Sequence, residues 1–124
     1  MRAKFNSDLK DPSITSIAPV YYWKKPESDK SVPYIRWYVL DQTEVMYAGN
    51  KAMCERYVFQ IDVFDYSDYD NLVDTIKNVM QNKRYTLVEQ ADLVEELADD
   101  VLLYHKVLRY KYEFFKSEVN YGYS

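Results

Sequence analysis

A chain of 124 residues has room for one domain around one modest core and not for two. Sixteen Lys and Arg against twenty Asp and Glu leave a net charge of −4, which speaks against a nucleic-acid binder that works through bulk positive charge. A single cysteine, Cys54, and a single histidine, His105, exclude a disulfide within the chain and a zinc site built from several such ligands.

The first predicted element is a short helix from Arg2 to Lys10, with Ala3, Phe5 and Leu9 as its apolar positions and Asp11-Pro12 as its stop. Ser13 to Ile17 adds a helical turn. Val20 to Trp23 is a short strand closed by Lys24-Lys25-Pro26, and the polar loop that follows, Glu27 to Ser31, is expected to make a hairpin with the next strand. That strand is Tyr34 to Leu40, where Ile35, Trp37 and Val39 alternate with Tyr34, Arg36, Tyr38 and Leu40, so that both faces carry large side chains. Residues 41–54 read as irregular, with Ala48-Gly49-Asn50 as the turn signal.

Glu55 to Phe64 has the clearest alternation. Tyr57, Phe59, Ile61 and Val63 take one face and Arg56, Gln60 and Asp62 the other, which makes this a central strand. A helix follows to about Asn82, capped by Ser67 or Asp68, with Leu72, Val73, Ile76, Val79 and Met80 at helical spacing. Arg84 to Val88 is a short strand and Asp92 to Asp100 an acidic helical turn. The last strand runs from Val101 to Phe115, with Leu102, Tyr104, Leu108, Tyr110, Tyr112 and Phe114 on one parity and His105, Val107, Arg109, Lys111 and Glu113 on the other. Residues 116–124 read as a flexible tail. The expected architecture is one α+β domain over 1–124, an antiparallel or mixed sheet of four to five strands with helices packed on one face.

Charge is unevenly spread: residues 62–100 hold eleven acidic side chains against three basic ones. Such a run usually forms a solvated face, and it also suits a protein that DNA must pass without sticking. Seventeen per cent of the chain is aromatic, with fourteen tyrosines, a composition common at protein contacts because each ring joins an apolar body to a polar tip.

Chemistry has few candidates. His105 lies in a strand between Tyr104 and Lys106 and reads as a surface or interface histidine, and Cys54 as a small buried hydrophobe in a loop without an activating cation. Acidic pairs such as Asp62 with Asp65 and Glu95 with Glu96 lack the converging geometry that metal binding or acid–base work needs. Gly49 and Gly122 are the only glycines, too few for a phosphate-cradling loop. Bases could stack on Tyr34, Trp37 and Tyr38 with Arg36 and Lys24 nearby, but the negative net charge implies no basic groove. No apolar run approaches the roughly 20 residues of a membrane helix, and Met1 to Lys4 leads into Phe5, Asn6, Ser7 and Asp8 rather than an apolar signal core. The expectation is a cytoplasmically made protein with no catalytic site, cofactor, metal or membrane contact.

The order of segments carries a resemblance. Trp23-Lys24-Lys25-Pro26 leads through Val32-Pro33-Tyr34-Ile35 to Tyr47-Ala48-Gly49-Asn50, then to Tyr57-Val58-Phe59-Gln60-Ile61-Asp62-Val63-Phe64 and, after the amphipathic helix, to Leu103-Tyr104-His105-Lys106-Val107-Leu108-Arg109-Tyr110. Over roughly residues 20–112 this series resembles the tail terminator, or tail-to-head joining, proteins of long-tailed bacteriophages. The resemblance implies a structural virion protein of the tail or neck, made in the host cytoplasm. Its subunits would form a homo-oligomeric ring, commonly a hexamer, that docks on the tail tube protein, ends polymerisation and presents a surface to head-completion or connector proteins. DNA would pass through the lumen without specific binding. A head-completion or stopper protein of the same neck, or a cellular oligomeric ligand-binding module, are the alternatives. Tyr34, Arg36, Tyr38, Lys106, Arg109 and Tyr110 are the expected subunit or partner contacts, since they lie on strand faces opposite or beside the inferred core. Met46 and Tyr47, in the stretch 41–54, are the expected contacts to the tube.

Overall fold

The alternation of residues 55–64 becomes the middle of the molecule. In a computed structural model, which describes residues 1–26, 31–46, 53–97 and 100–115, strand β3 (Met53–Asp65) lies third of five. The other strands are β1 (Val20–Tyr22), β2 (Tyr34–Met46), β4 (Thr86–Glu96) and β5 (Leu102–Phe115), in the spatial order β1-β2-β3-β5-β4. β1 pairs parallel with β2 and all other neighbours are antiparallel, which makes the sheet mixed. Helices α1 (Arg2–Leu9), α2 (Pro12–Thr15) and α3 (Asp70–Asn82) supply the second layer. The fold is α+β, with its helices on one sheet face.

Register decides which side chains meet beneath the helices. Trp37 lies opposite Ile61, Val39 opposite Phe59, and Ile61 and Phe59 in turn lie opposite Leu108 and Tyr110. Apart from Val39, which is partly buried and packs against them, these residues form one buried cluster with Phe5 and Leu9 of α1, Ile14 of α2 and the α3 stripe Leu72, Val73, Ile76, Val79 and Met80. At its centre the Phe5 ring stacks on Phe59 at 3.9 Å and meets Trp37 and Tyr85 at 5.0 and 5.2 Å. Trp37 Nε1 donates to Asn6 Oδ1 at 3.1 Å, so the indole is buried without leaving its donor unpaired. Each such large side chain contributes roughly 1.5–3 kcal/mol by leaving water.

The helix ends follow local chemistry. Asp11 accepts from the backbone N–H of Ser13 at 3.0 Å and from its hydroxyl at 2.7 Å, capping α2, whose first residue is Pro12. Those Ser13 hydrogen bonds hold the Asp11 carboxyl below the usual carboxylate range. Before α3 the Asp68 carboxylate accepts from the N–H of Asp70 at 2.8 Å, while the capping position itself is Tyr69. After α3 the N–H of Arg84 bonds to the carbonyl of Gln81 and that of Tyr85 to the carbonyl of Met80. This is the Schellman pattern, with Arg84 at φ 71° where glycine is usual.

Four expectations are corrected. Residues 41–54 are not irregular throughout: β2 continues to Met46 and β3 begins at Met53, with Met46 opposite Met53. A bulge between Val39 and Asp41 shifts the phase of β2, and Asp41 to Glu44 are exposed on both faces, so no apolar alternation marks them. β1 and β2 form no hairpin, because Val20 to Tyr22 pair in parallel with Ile35 to Trp37. The chain turns out of β1 at Trp23, in the left-handed region at φ 68°, and the N–H of Trp23 bonds to the carbonyl of Trp37. β4 extends to Glu96 rather than Val88, and Asp92 to Glu96 are strand rather than helix. Most of β4 is exposed on both faces, which erases the period of two on which strand recognition rests. The expected tail, 116–124, lies outside the described residues.

Candidate interaction surface

The face of the sheet turned away from the helices is built by the opposite parity of each strand. Register lines up Tyr34, Phe64, His105 and Leu93 in one row, Arg36, Asp62, Val107 and Ala91 in the next, and Tyr38, Gln60, Arg109 and Glu89 in a third. Asp62 is the pivot. Its carboxylate accepts from Arg36 Nε at 2.8 Å and from Gln60 Nε2 at 2.9 Å, and pairs with His105 Nε2 at 2.9 Å. Gln60 Oε1 accepts from Arg109 Nε at 3.0 Å, and Arg109 Nη1 makes a short ion pair with Glu89. One hydrogen-bonded chain thus crosses β2, β3, β5 and β4.

Rings shelter this chain. Phe64 stacks between Tyr34, at 4.7 Å, and His105, at 4.2 Å, while the Arg36 guanidinium lies 5.0 Å from the Phe64 centroid. Asp62 is left with no exposed surface, although no helix covers it. Burial pushes its carboxyl up, but the hydrogen bonds from His105, Arg36 and Gln60 outweigh that and hold it below the usual range. Burial also pushes the Tyr34 and Tyr38 phenols up, keeping both rings neutral donors. Among the described residues no buried side-chain nitrogen or oxygen lacks a partner. The chemistry of the arrangement is therefore positional: it fixes charged and aromatic groups on a sheet face that none of the described helices covers.

Tyr34, Arg36, Tyr38 and Arg109 are brought together here. Lys106 and Tyr110 are not, since their parity points to the helix side. Tyr110 is 2% exposed and its phenol is pushed up to about 12 by burial, so it is a core residue rather than a contact residue. Lys106 pairs with Asp92 at 3.1 Å, and the Tyr69 hydroxyl donates to the same carboxylate at 2.7 Å. Met46 is placed only by its backbone register at the end of β2, and Tyr47 lies outside the described residues. His105 is buried rather than on the surface, and Cys54 is buried within β3 rather than in a loop. Gln60, Asp62 and Phe64 escaped the sequence reading as the buried centre of this network; for Gln60 and Asp62 the signal was membership of the parity opposite Tyr57, Phe59 and Ile61.

Among the described residues no group of three or more His, Cys, Asp or Glu is placed to hold a metal ion, and no helix is long and apolar enough to cross a membrane. Comparison with family models and with curated proteins gave no match. Among solved structures the chain is similar to one from the "Virion of native gene transfer agent (GTA) particle", with a TM-score of 0.46 and 11% sequence identity, covering 88% of this chain and 91% of that one.

Proposed function

We propose that this chain is a structural virion protein of a long-tailed phage, a ring-forming subunit that caps the tail tube, ends tail polymerisation and offers the surface for head–tail joining. One observation carries the reading: two of the segments behind the family resemblance, 57–64 and 103–110, are neighbouring central strands, and their outward side chains form a single network. Gln60 lies opposite Arg109 and Phe64 opposite His105, and the network runs on to Arg36 and Glu89. A broad face of fixed charges and rings suits protein contact. Its partners in this reading are further copies of the chain, the tail tube protein and the head-completion proteins, with DNA passing through the lumen.

The test is electron microscopy of lysates from a phage carrying a stop codon at Tyr57. Full heads beside separate, overlong tails are expected. Tails of normal length beside heads that have leaked their DNA would instead make the protein a head-completion component. Infectious particles of unchanged yield would overturn the virion reading and favour a cellular binding module.

A further inference from the structure

The two edges of the sheet differ in chemistry, and among the described residues each carries exposed large apolar side chains. Of the eleven large apolar side chains exposed among the described residues, Val88, Leu93 and Val94 lie on β4, Leu97 and Val101 between β4 and β5, and Leu102 at the start of β5. Two more, Tyr22 and Trp23, lie at the other edge, on and just after β1. β4 is an eleven-residue edge strand without proline or glycine, Thr86 to Glu96, and a strand of that kind is a template for association unless something covers it. Around Val88, Leu93 and Val94, each about half exposed, it carries Glu95 and Glu96 at its end, besides Glu89 and Asp92, which pair with Arg109 and Lys106 of β5.

The β1 edge has the opposite sign. On the helix side, Arg2 and Lys10 join Asn6, Tyr22 and Trp37 around an open cleft of about 280 Å³, with the Tyr22 and Trp37 rings 4.7 Å apart. On the other side Lys24 and Arg36, the latter paired with Asp62, join Trp23 and Tyr38 around a cleft of about 340 Å³. Four strand spacings, about 19 Å, separate the two edges, so neither can neutralise the other within one chain.

We infer that the acidic, aliphatic β4 edge of one copy docks on the basic, aromatic β1 edge of the next, in a head-to-tail contact. A twofold contact sets a patch against itself, and here that would oppose Glu95 and Glu96 to their own copies, or Arg2 and Lys10 to theirs. A head-to-tail contact satisfies both edges at once and closes into a ring when the rotation between copies allows it. The inference rests on the ring reading above and specifies its subunit interface. Exposed apolar side chains supply the contact area, and the charges set its direction.

Three proteins test it by sedimentation at low ionic strength, over concentrations up to about 1 mM, where edge charges are least screened. The wild type is expected to self-associate beyond the dimer. Glu95→Lys/Glu96→Lys and Arg2→Glu/Lys10→Glu, all at exposed positions or in an open cleft, are each expected to weaken association about a hundredfold while keeping the wild-type circular dichroism spectrum. An equimolar mixture of the two variants is expected to associate again, because the intact acidic edge of one meets the intact basic edge of the other. A wild type that stays monomeric throughout, association untouched by either reversal, or a mixture that stays dissociated would overturn the edge contact. Those results leave the virion reading to the stop-codon phage, which can fail or succeed on its own.

Discussion

Asp62 shows how one residue can be buried without a core around it. The sequence places it on the outward parity of β3, and that much is correct. Its zero exposure comes from Arg36 on β2 and His105 on β5, which are distant in sequence and legible only once register is known. Removing one partner of a buried, hydrogen-bonded charge pair costs about 3 kcal/mol, so Asp62→Asn should be destabilised by an amount of that order at pH 7. The pH dependence has a definite sign. The folded-state carboxyl titrates below its ordinary value of 3.8, so its contribution is complete above that value and is lost as pH falls through it towards the folded value. Urea unfolding at pH 7, 5 and 3 should therefore show a gap between wild type and variant that is steady at the first two and narrows at the last. A gap of equal size at all three would assign the loss to shape rather than to charge.

At the scale of elements, what could be read from the sequence was whatever is half-buried. The α3 stripe from Leu72 to Met80 and the β3 alternation from Tyr57 to Val63 were plain because helix and sheet press these faces together. Most of β4 and residues Asp41 to Glu44 of β2 were hidden because solvent lies on both their faces and no period survives there. The parallel pairing of β1 was hidden for another reason: nothing local in Val20 to Tyr22 states which side of β2 it joins or in which direction. The same distinction applies to the interface candidates. Register puts Tyr34, Arg36, Tyr38 and Arg109 on one face, whereas Lys106 and Tyr110 have the parity of the core. One element carries local strain that can be relieved. Arg84 holds the left-handed position of the α3 Schellman turn at φ 71°, where a side chain costs roughly 1 kcal/mol and glycine does not. Because glycine also loses more freedom on folding, the net gain expected for Arg84→Gly is about 0.5 kcal/mol, a rise in melting temperature of about 2 °C. A melting temperature lowered by the substitution would show that the Arg84 side chain contributes more than its backbone costs.

For the whole molecule, sheet order ranks the strands by how much holds them. β3 and β5 each have a hydrogen-bonded neighbour on both sides, β2 has β1 along only three residues of its length, and β4 has β5 alone. Amide exchange follows the free energy of local opening, which is lowest where few buried contacts must break. In dilute solution, amides at Ile61 to Val63 and Val107 to Tyr110 should exchange slowest, near the global unfolding limit, while those on the solvent side of β4 exchange fastest among the long strands. If head-to-tail docking covers the sheet edges, raising the protein concentration should slow exchange in β4 and at Val20 to Trp23 together and leave the central strands unchanged. Protection gained at β4 alone would mean that β4 meets another β4. Glu95 and Glu96, which unlike Glu89 and Asp92 have no ion pair on β5 among the described residues, would then have to be neutralised by protons or cations, and the association would strengthen with acid or salt, where a contact between opposite charges weakens.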